Sequence, residues 1–396
     1  MTALAAEVVV LHCDQGMGTL VRIWENVAGV PKITHLVLID LGCENGRKRF
    51  AGDAIDNVII SLEAMPTPKL DLLLISHQDT DHWSLLPGLI EAIQSDVPAT
   101  TLGAFYRGGM GWKKGAKEVI ELVESHFGVK CNPWTDCRTD YGNPAAGKTA
   151  IADYAGVAIR ILIVNADSTK SIANGTSVVT VIDFGGSTSI IPGDATSQTL
   201  SACNAYIDAW IAQNGANPVT PCFLLTAPHH GALATIADNF TTSNPRLLIA
   251  NEFAQRTQAA WLAASAGYLS KFKHPYKNVM QLLGYKIGAA AKVHNFVWYD
   301  QAAPGWEPVV ATQQNFFTTV TNLSDPPAVV APIFAMMPSG AVLYRLEPTP
   351  RSVEDILPPP SDPGVSGPDP RQVAAEERRS RTTVAARPRV AMGGAA

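Results

Sequence analysis

Short apolar runs alternate with amphipathic stretches along most of this chain. Runs rich in Val, Ile and Leu predict β-strands at residues 7–11, 19–24, 36–40, 70–76, 157–164, 177–183, 187–192, 222–227 and 246–251. Apolar positions at helical spacing predict helices at residues 83–93, 113–127, 198–213 and 278–283. Because strands outnumber helices and the two types interleave, the pattern indicates a layered α/β or α+β fold.

The pattern changes near residue 346. From there to residue 396 the chain is rich in Pro, Ser, Ala and Arg and poor in large apolar side chains. Such a segment lacks the apolar surface whose burial would offset the entropy of ordering it. We therefore predict one folded domain at residues 1–346 and a disordered tail at residues 347–396 with no catalytic role.

Composition narrows the classes of function. Of the 396 residues, 46% are hydrophobic and 16% are charged, with 30 Lys and Arg against 35 Asp and Glu. The resulting net charge of −5 argues against a protein that coats nucleic acid through bulk charge. The six cysteines contain no C-x-x-C pair, so they resemble neither a zinc ribbon nor a disulfide framework.

Two features of the sequence bear on localisation. The N-terminus has no positively charged start, and its apolar run ends at His12 and Asp14, too early for the core of a signal peptide. The most apolar long stretch, residues 328–346, is broken by prolines, Ser339 and Gly340. We predict a cytoplasmic protein without membrane insertion.

A dense group of metal-binding side chains follows the apolar run at residues 72–75. It contains His77, Asp79, Asp81 and His82. Two imidazoles and two carboxylates this close cannot be buried apart, and burying them together without a cation would leave uncompensated charge. A cation resolves the conflict, and the spacing allows one segment to bind two ions. The alternative, an exposed acidic turn with incidental histidines, seldom follows an all-apolar strand.

Two other predicted strands end in residues of the same kind. One is followed by Asp194, which by itself would fit the N-cap of the next helix, and the other by His229 and His230. Ligand-type residues at three strand ends indicate a site assembled along one edge of a sheet. His274 precedes the last predicted helix and is either structural or a further member of the site.

These motifs resemble those of the metallo-β-lactamase-fold hydrolases, and within them the hydrolase domain of the ComEC competence (DNA-uptake channel) family. The segment at residues 77–82 is similar to the H-x-D-x-D-H of the ComEC branch, where the wider group has H-x-H-x-D-H. Further similar motifs follow the family order: an imperfect D-x-G-Q-G-D turn at 14–18, I-D-x-G at 39–42, N-x-x-S at 174–177, G-D at 193–194, H-H-G-S at 229–232 and H-P at 274–275. The resemblance extends over roughly residues 7–300.

The resemblance implies a four-layer αββα sandwich and a hydrolase with two divalent metal ions, Zn or Mn, which supply a bridging hydroxide as the nucleophile. The ligands it implies are His77 and Asp79 for one ion, Asp81, His82 and one of His229 or His230 for the other, and Asp194 between the two. The remaining histidine of the pair and His274 would stabilise a developing oxyanion or protonate the leaving group.

Three departures from the family pattern change what is implied. The group has a third histidine motif between the first cluster and the bridging aspartate, and the only counterpart here is His126, whose place in a predicted helix favours a structural role. The first metal site would then be weak or completed by water. Ala232 replaces a small hydroxyl residue, and no channel segment accompanies the domain, so DNA uptake is not implied.

The first substrate hypothesis is a phosphodiester in nucleic acid or a nucleotide, because two ions can hold both oxygens of an in-line displacement. Two stretches offer cations and rings for a phosphate track or, equally, are solvated helix faces: Arg107, Trp112, Lys113, Lys114 and Lys117 in the first, and Lys271, Lys273, Tyr276 and Lys277 in the second. The alternatives are a lactone, β-lactam or thioester hydrolase and a non-catalytic, metal-stabilised binding module.

A P-loop pattern at residues 142–149 lacks the preceding apolar strand and following helix that phosphate binding needs.

Overall fold

The computed structural model describes residues 2–44, 52–142, 147–166, 173–238, 246–268, 272–284, 294–311, 315–324, 327–340 and 342–347. The tail predicted at residues 347–396 lies outside the described residues except for Glu347. Its disorder, and the domain boundary next to it, therefore stay predictions.

The strands, in chain order, are β1 (Ala5–Val10), β2 (Gly18–Val27), β3 (Val30–Leu41), β4 (Lys69–Ile75), β5 (Thr101–Arg107), β6 (Cys131–Pro133), β7 (Ala152–Tyr154), β8 (Val157–Ile163), β9 (Val179–Phe184), β10 (Ser187–Ile191), β11 (Cys222–Thr226), β12 (Trp261–Ala264), β13 (His294–Asp300), β14 (Gly305–Ala311), β15 (Phe316–Thr318), β16 (Ala331–Met336) and β17 (Val342–Glu347). The helices are α1 (Gly52–Glu63), α2 (Leu86–Asp96), α3 (Lys114–Phe127), α4 (Ser197–Asn214), α5 (Leu233–Ile236), α6 (Leu248–Thr257) and α7 (Lys277–Leu283). Short 3₁₀ turns lie at Thr80–His82, Asn174–Thr176 and Pro228–Gly231.

Within the described residues the strands form two large sheets and a hairpin. The first sheet has the order β17-β16-β1-β2-β3-β4-β5-β6, the second has the order β15-β12-β11-β10-β9-β8-β7, and β13 pairs with β14. Strands β3 to β6 run parallel in the first sheet, as do β10, β11, β12 and β15 in the second. Parallel neighbours present their carboxyl ends at the same edge, so residues that follow those strands are brought together.

Strand β4 shows how the layers are stacked. Every position of its run at residues 72–75 is apolar because both faces of the strand are covered. Leu73 and Ile75 belong to the core shared with helices α1 to α3, whereas Leu72 and Leu74 belong to the core between the two sheets. Helices α4, α6 and α7 pack on the other face of the second sheet. These four layers confirm the predicted αββα sandwich.

One predicted strand is wrong. The apolar run at residues 246–251 indicates a strand, but the structure has helix α6 from Leu248 to Thr257. The buried side chains of this helix recur at helical spacing and are Ala250, Phe253, Ala254 and Thr257. The apolar run is therefore the start of a longer amphipathic helix, which a window this short cannot distinguish from a strand.

Candidate metal centre

Strand ends from both sheets meet at one edge of the sandwich. In the first sheet, β4 leads into the segment 77–82. In the second sheet, β10 leads to Asp194 and β11 to His229 and His230. The backbone N–H of Val178 donates to the carbonyl of Ser76 at 3.1 Å, which connects the two sheets beside the site. The predicted assembly at a sheet edge therefore draws on both sheets.

Asp194 is the centre of this arrangement and is buried. Its Oδ1 lies 3.1 Å from His82 Nε2 and 3.7 Å from His230 Nε2. Its Oδ2 lies 3.7 Å from His77 Nε2 and 3.4 Å from His229 Nε2. The two carboxylate oxygens thus face different pairs of histidines, as a carboxylate between two cations would.

The group around Oδ1 is the more compact. One ligand atom from each of Asp81, His82, Asp194 and His230 lies within 4.8 Å of all the others. Asp81 Oδ2 is 3.5 Å from His230 Nε2. On the other side, Asp79 Oδ2 is 3.7 Å from His77 Nε2, and its side chain is 36% exposed. The site therefore has a closed half and a more open half.

The unpaired polar atoms of this cluster show whether its residues fit a divalent cation. The buried atoms that lack a hydrogen bond of acceptable geometry include His77 Nε2, His82 Nε2, His230 Nε2 and Asp194 Oδ1. Leaving such atoms unsatisfied is unfavourable, and they converge on the carboxylate of Asp194. Imidazole nitrogens and carboxylate oxygens suit Zn or Mn. The residues present therefore fit a divalent cation.

The ionisation of the two carboxyls in the cluster also fits a divalent cation. Burial alone would raise the pKa of Asp194, but His229 and His82 hold it well below its ordinary value. Burial also raises the pKa of Asp81, but the neighbouring imidazoles of His230 and His82 lower the pKa of that carboxyl to about 2. Both carboxyls are therefore ionised at neutral pH and have the charge that a cation requires.

Asp40 is a site residue that the candidate set from the sequence does not include. Its Oδ2 accepts hydrogen bonds from His82 Nδ1 at 2.8 Å and from Ser76 Oγ at 2.7 Å, and its Oδ1 accepts one from the Ser76 N–H at 2.7 Å. Since His82 Nδ1 donates to Asp40, a neutral His82 ring would have its lone pair on Nε2, on the side of Asp194. The only sequence signal is the I-D-x-G motif at residues 39–42, which does not indicate the partner of Asp40.

The histidine pair follows β11 in an unusual backbone conformation. His229 and His230 have φ values of 47° and 55°, in the left-handed region, which costs on the order of 1–3 kcal/mol for each residue. The N–H of His229 donates to the carbonyl of Gly193, and the N–H of Tyr276 donates to that of Gly231. The two rings consequently diverge, with 70° between their planes. His230 turns to Asp81, whereas His229 turns to the open half.

His274 and an aromatic neighbour border the open half. The ring centroid of His274 is 5.9 Å from that of His229, and burial lowers the pKa of His274 to about 3. Phe272 is nearly parallel to His274, with 6.0 Å between centroids and 18° between planes, and it is 42% exposed. His274 thus lies at the site as a neutral ring, and Phe272 extends this aromatic border to the solvent.

The predicted phosphate track is not formed as expected. Trp112 is buried in the core with helices α1 to α3, where its Nε1 donates to the carbonyl of Gly108, so the prediction that it stacks on a substrate is wrong. Lys277 forms ion pairs with Asp300 at 2.8 Å and Glu307 at 2.9 Å. Lys271 lies outside the described residues. Of the other residues in the second stretch, Tyr276 contacts His274, with 5.6 Å between ring centroids, and Lys273 Nζ donates to the hydroxyl of Tyr299 at 3.2 Å.

Two other sequence features lie away from the cluster. His126, the counterpart considered for the missing third histidine, contacts Gln94 Nε2 at 3.3 Å on the outer helices, as its structural interpretation predicts. In the P-loop-like segment, Lys148 donates to the carbonyl of Pro218 and lies 3.7 Å from Asp183. Neither residue belongs to the metal centre.

None of the described helices is long and apolar enough to cross a membrane.

Comparison with known proteins gives structural similarity alone. No protein-family model and no curated protein matches this sequence. Several solved structures are similar in fold, and two of them are described here. One is the metallo-beta-lactamase fold protein YhfI from Bacillus subtilis, with 16% identity, a TM-score of 0.40, and 71% of this chain and 93% of that chain covered. The other is a long form of RNase Z from yeast, with 12% identity, a TM-score of 0.32, and 67% of this chain and 37% of that chain covered. At these values neither bears on the activity of this chain, which has to be inferred from its own residues.

Proposed function

We propose that this protein is a metal-dependent hydrolase of the metallo-β-lactamase fold, similar to the ComEC hydrolase domain, and that its substrate is a phosphodiester. The observation that carries the proposal is the split coordination around Asp194, whose two oxygens face different histidine pairs. Such a carboxylate places two cations side by side, the arrangement that serves the attacking and leaving oxygens of an in-line displacement.

In this proposal each half of the site has its own ligands. Asp81, His82 and His230 would hold one cation, His77 and Asp79 would hold the other, and Asp194 would contribute an oxygen to each. Bound cations supply Lewis acidity and lower the pKa of a coordinated water toward neutrality. We expect the closed half to bind more tightly, because more of its ligand atoms are already in place.

The remaining histidines act on the substrate. His229 Nε2 is 3.4 Å from Asp194 Oδ2, at the edge of the open half, so its N–H is placed to donate to an oxygen that gains negative charge. His274 is held neutral next to it by burial. Because its Nδ1 is buried without a hydrogen bond among the described residues, it is available to a bound substrate.

The primary test compares metal content with turnover. Protein purified without chelator should contain metal, and in Mn or Zn it should hydrolyse bis-p-nitrophenyl phosphate. Asp81→Ala should lose most of the metal and the turnover, whereas Asp96→Ala, an exposed carboxylate at the end of α2, should change neither. Turnover of lactones or thioesters but of no phosphodiester would contradict the substrate class. Bound metal without turnover of any substrate would favour a binding module.

A further part of the proposal is that Phe272 contacts the nucleobase next to the phosphodiester. Its ring is 42% exposed and borders the site beside His274, and an aromatic ring in that position can stack on a nucleobase. A base that stacks there contributes about 1–3 kcal/mol, so Phe272→Ala should raise KM for a single-stranded oligonucleotide roughly 5- to 150-fold with little change in kcat.

The matched control is Val310→Ala, which removes another exposed apolar side chain, 59% exposed and located on β14. It should leave KM unchanged. An oligonucleotide with abasic sites should show the same KM with the wild-type and Phe272→Ala proteins. Equal loss of affinity for the intact and the abasic strand would contradict stacking at Phe272.

A further inference from the structure

Asn174 lies in the chain between the first cluster and Asp194 and belongs to the N-x-x-S motif at residues 174–177. It begins the 3₁₀ turn Asn174–Thr176, and its amide Nδ2 is 3.2 Å from His229 Nδ1. An amide nitrogen is a donor only, so His229 Nδ1 accepts this hydrogen bond. A neutral imidazole carries a single N–H, and that proton must then be on Nε2.

His82 shows the opposite arrangement in the same site. Its Nδ1 faces the carboxylate of Asp40, which can only accept, so a neutral His82 ring that binds a cation would carry its proton on Nδ1 and its lone pair on Nε2. A histidine binds a cation through a lone pair and donates through an N–H. Asp40 therefore prepares His82 to bind a cation through Nε2, whereas Asn174 prepares His229 to donate a hydrogen bond from Nε2.

We propose that Asn174 is a positioning residue that holds His229 in the Nε2–H tautomer, so that His229 donates a hydrogen bond to a substrate oxygen instead of binding a metal ion. This inference rests on the proposed function for the identity of that oxygen, which is a non-bridging or leaving-group oxygen of the phosphodiester. No bond to hydrogen breaks in this role, since His229 keeps its proton and stabilises charge. The open half of the site then has His77, Asp79 and Asp194 as its protein ligands.

Asn174→Asp is the most direct test, because it replaces the donor with an acceptor of the same shape. The carboxylate should draw the proton to Nδ1 and leave a lone pair on Nε2. In ¹⁵N-histidine-labelled full-length protein, with zinc and after chelation, the His229 Nε2 resonance of the wild type should be that of a protonated nitrogen. In Asn174→Asp it should move to the unprotonated or zinc-bound range. The signal is assigned by its absence from His229→Gln.

Two further readouts separate a positioning role from a structural one. Asn174→Asp should bind metal more tightly in the open half, since it gains a ligand nitrogen, yet lose roughly 100-fold in kcat with little change in KM. Asn132→Asp, the same change at an exposed position on β6, should alter neither. Asn174→Ala should lower kcat without the gain in metal affinity.

The outcomes distinguish this inference from the function on which it rests. An unprotonated Nε2 in the wild type, or a resonance that does not move in Asn174→Asp, would overturn the inference even if phosphodiesters are hydrolysed. A protonated Nε2 that shifts in Asn174→Asp, in a protein that hydrolyses no phosphodiester, would support the positioning role of Asn174 and overturn the substrate class alone.

Discussion

Replacing Asp194 with asparagine is expected to lower phosphodiester hydrolysis by roughly 10²- to 10⁴-fold, the equivalent of several kcal/mol of lost transition-state stabilisation. The reason is the position of this carboxylate, whose oxygens lie 3.1 Å from His82 Nε2 on one side and 3.4 Å from His229 Nε2 on the other. An amide has the same shape but no charge, and its nitrogen cannot bind a cation. One half of the site therefore loses a ligand, and the other keeps only a neutral amide oxygen.

Metal-dependent stability gives a second measurement of the same change. A ligand at about 100 times its Kd stabilises the folded state by about 2.7 kcal/mol, so added Zn or Mn should raise the Tm of the wild-type protein. This increase should be small or absent in Asp194→Asn. Asp136→Asn, at an exposed position, is the control and should behave as the wild type. Full metal content and an unchanged increase in Tm in Asp194→Asn would contradict the bridging position of this residue.

Asp40→Asn is expected to weaken metal binding by roughly 10- to 100-fold, although Asp40 is not itself a ligand. The asparagine can still accept from the N–H of Ser76, but its amide nitrogen would donate to His82 Nδ1. The ring proton would then move to Nε2, and His82 would lose the lone pair it directs at the cation. Because Asp40 has a φ of 57°, a conformation that asparagine tolerates well, the backbone should be retained.

The measurement is a competition titration against a chelator, together with the free energy of unfolding. The lost charge-assisted hydrogen bonds to buried groups should cost about 1–3 kcal/mol of stability. Asp153→Asn, at an exposed position on β7 where the carboxylate accepts a hydrogen bond from the N–H of Gly156, should leave metal affinity unchanged. An Asp40→Asn protein with lower stability but wild-type affinity would show that Asp40 acts only on the fold.

Local sequence patterns predicted the parts of the site that depend on a single strand and the turn after it. The apolar run before His77 has to be a buried strand, because every side chain in it would otherwise meet water, and its end then places the polar segment at a sheet edge. The same reasoning applies to Asp194 and to the histidine pair. Where the pattern was short and ambiguous, as at residues 246–251, it failed.

Roles that depend on a partner from another strand could not be predicted. Asp40 meets Ser76 and His82 because β3 and β4 pair in parallel, with Val37 opposite Leu72. Trp112 has the sequence surroundings of an exposed residue, but it is buried in the core that also contains residues of helices α1 to α3. In both cases the partner is distant in the chain, so no local spacing identifies it.

The sequence by itself therefore determined the layered fold and the chemical type of the centre, since both follow from apolar periodicity and from carboxylates and imidazoles at strand ends. Only the tertiary structure decided which of His229 and His230 faces Asp81 and which faces Asn174. The directions of the two rings depend on the left-handed backbone at both residues, which turns His230 to Asp81 and His229 to Asn174. A sequence specifies which atoms can bind or donate, but their directions are set by backbone dihedrals and by neighbours that meet only when the two sheets pack.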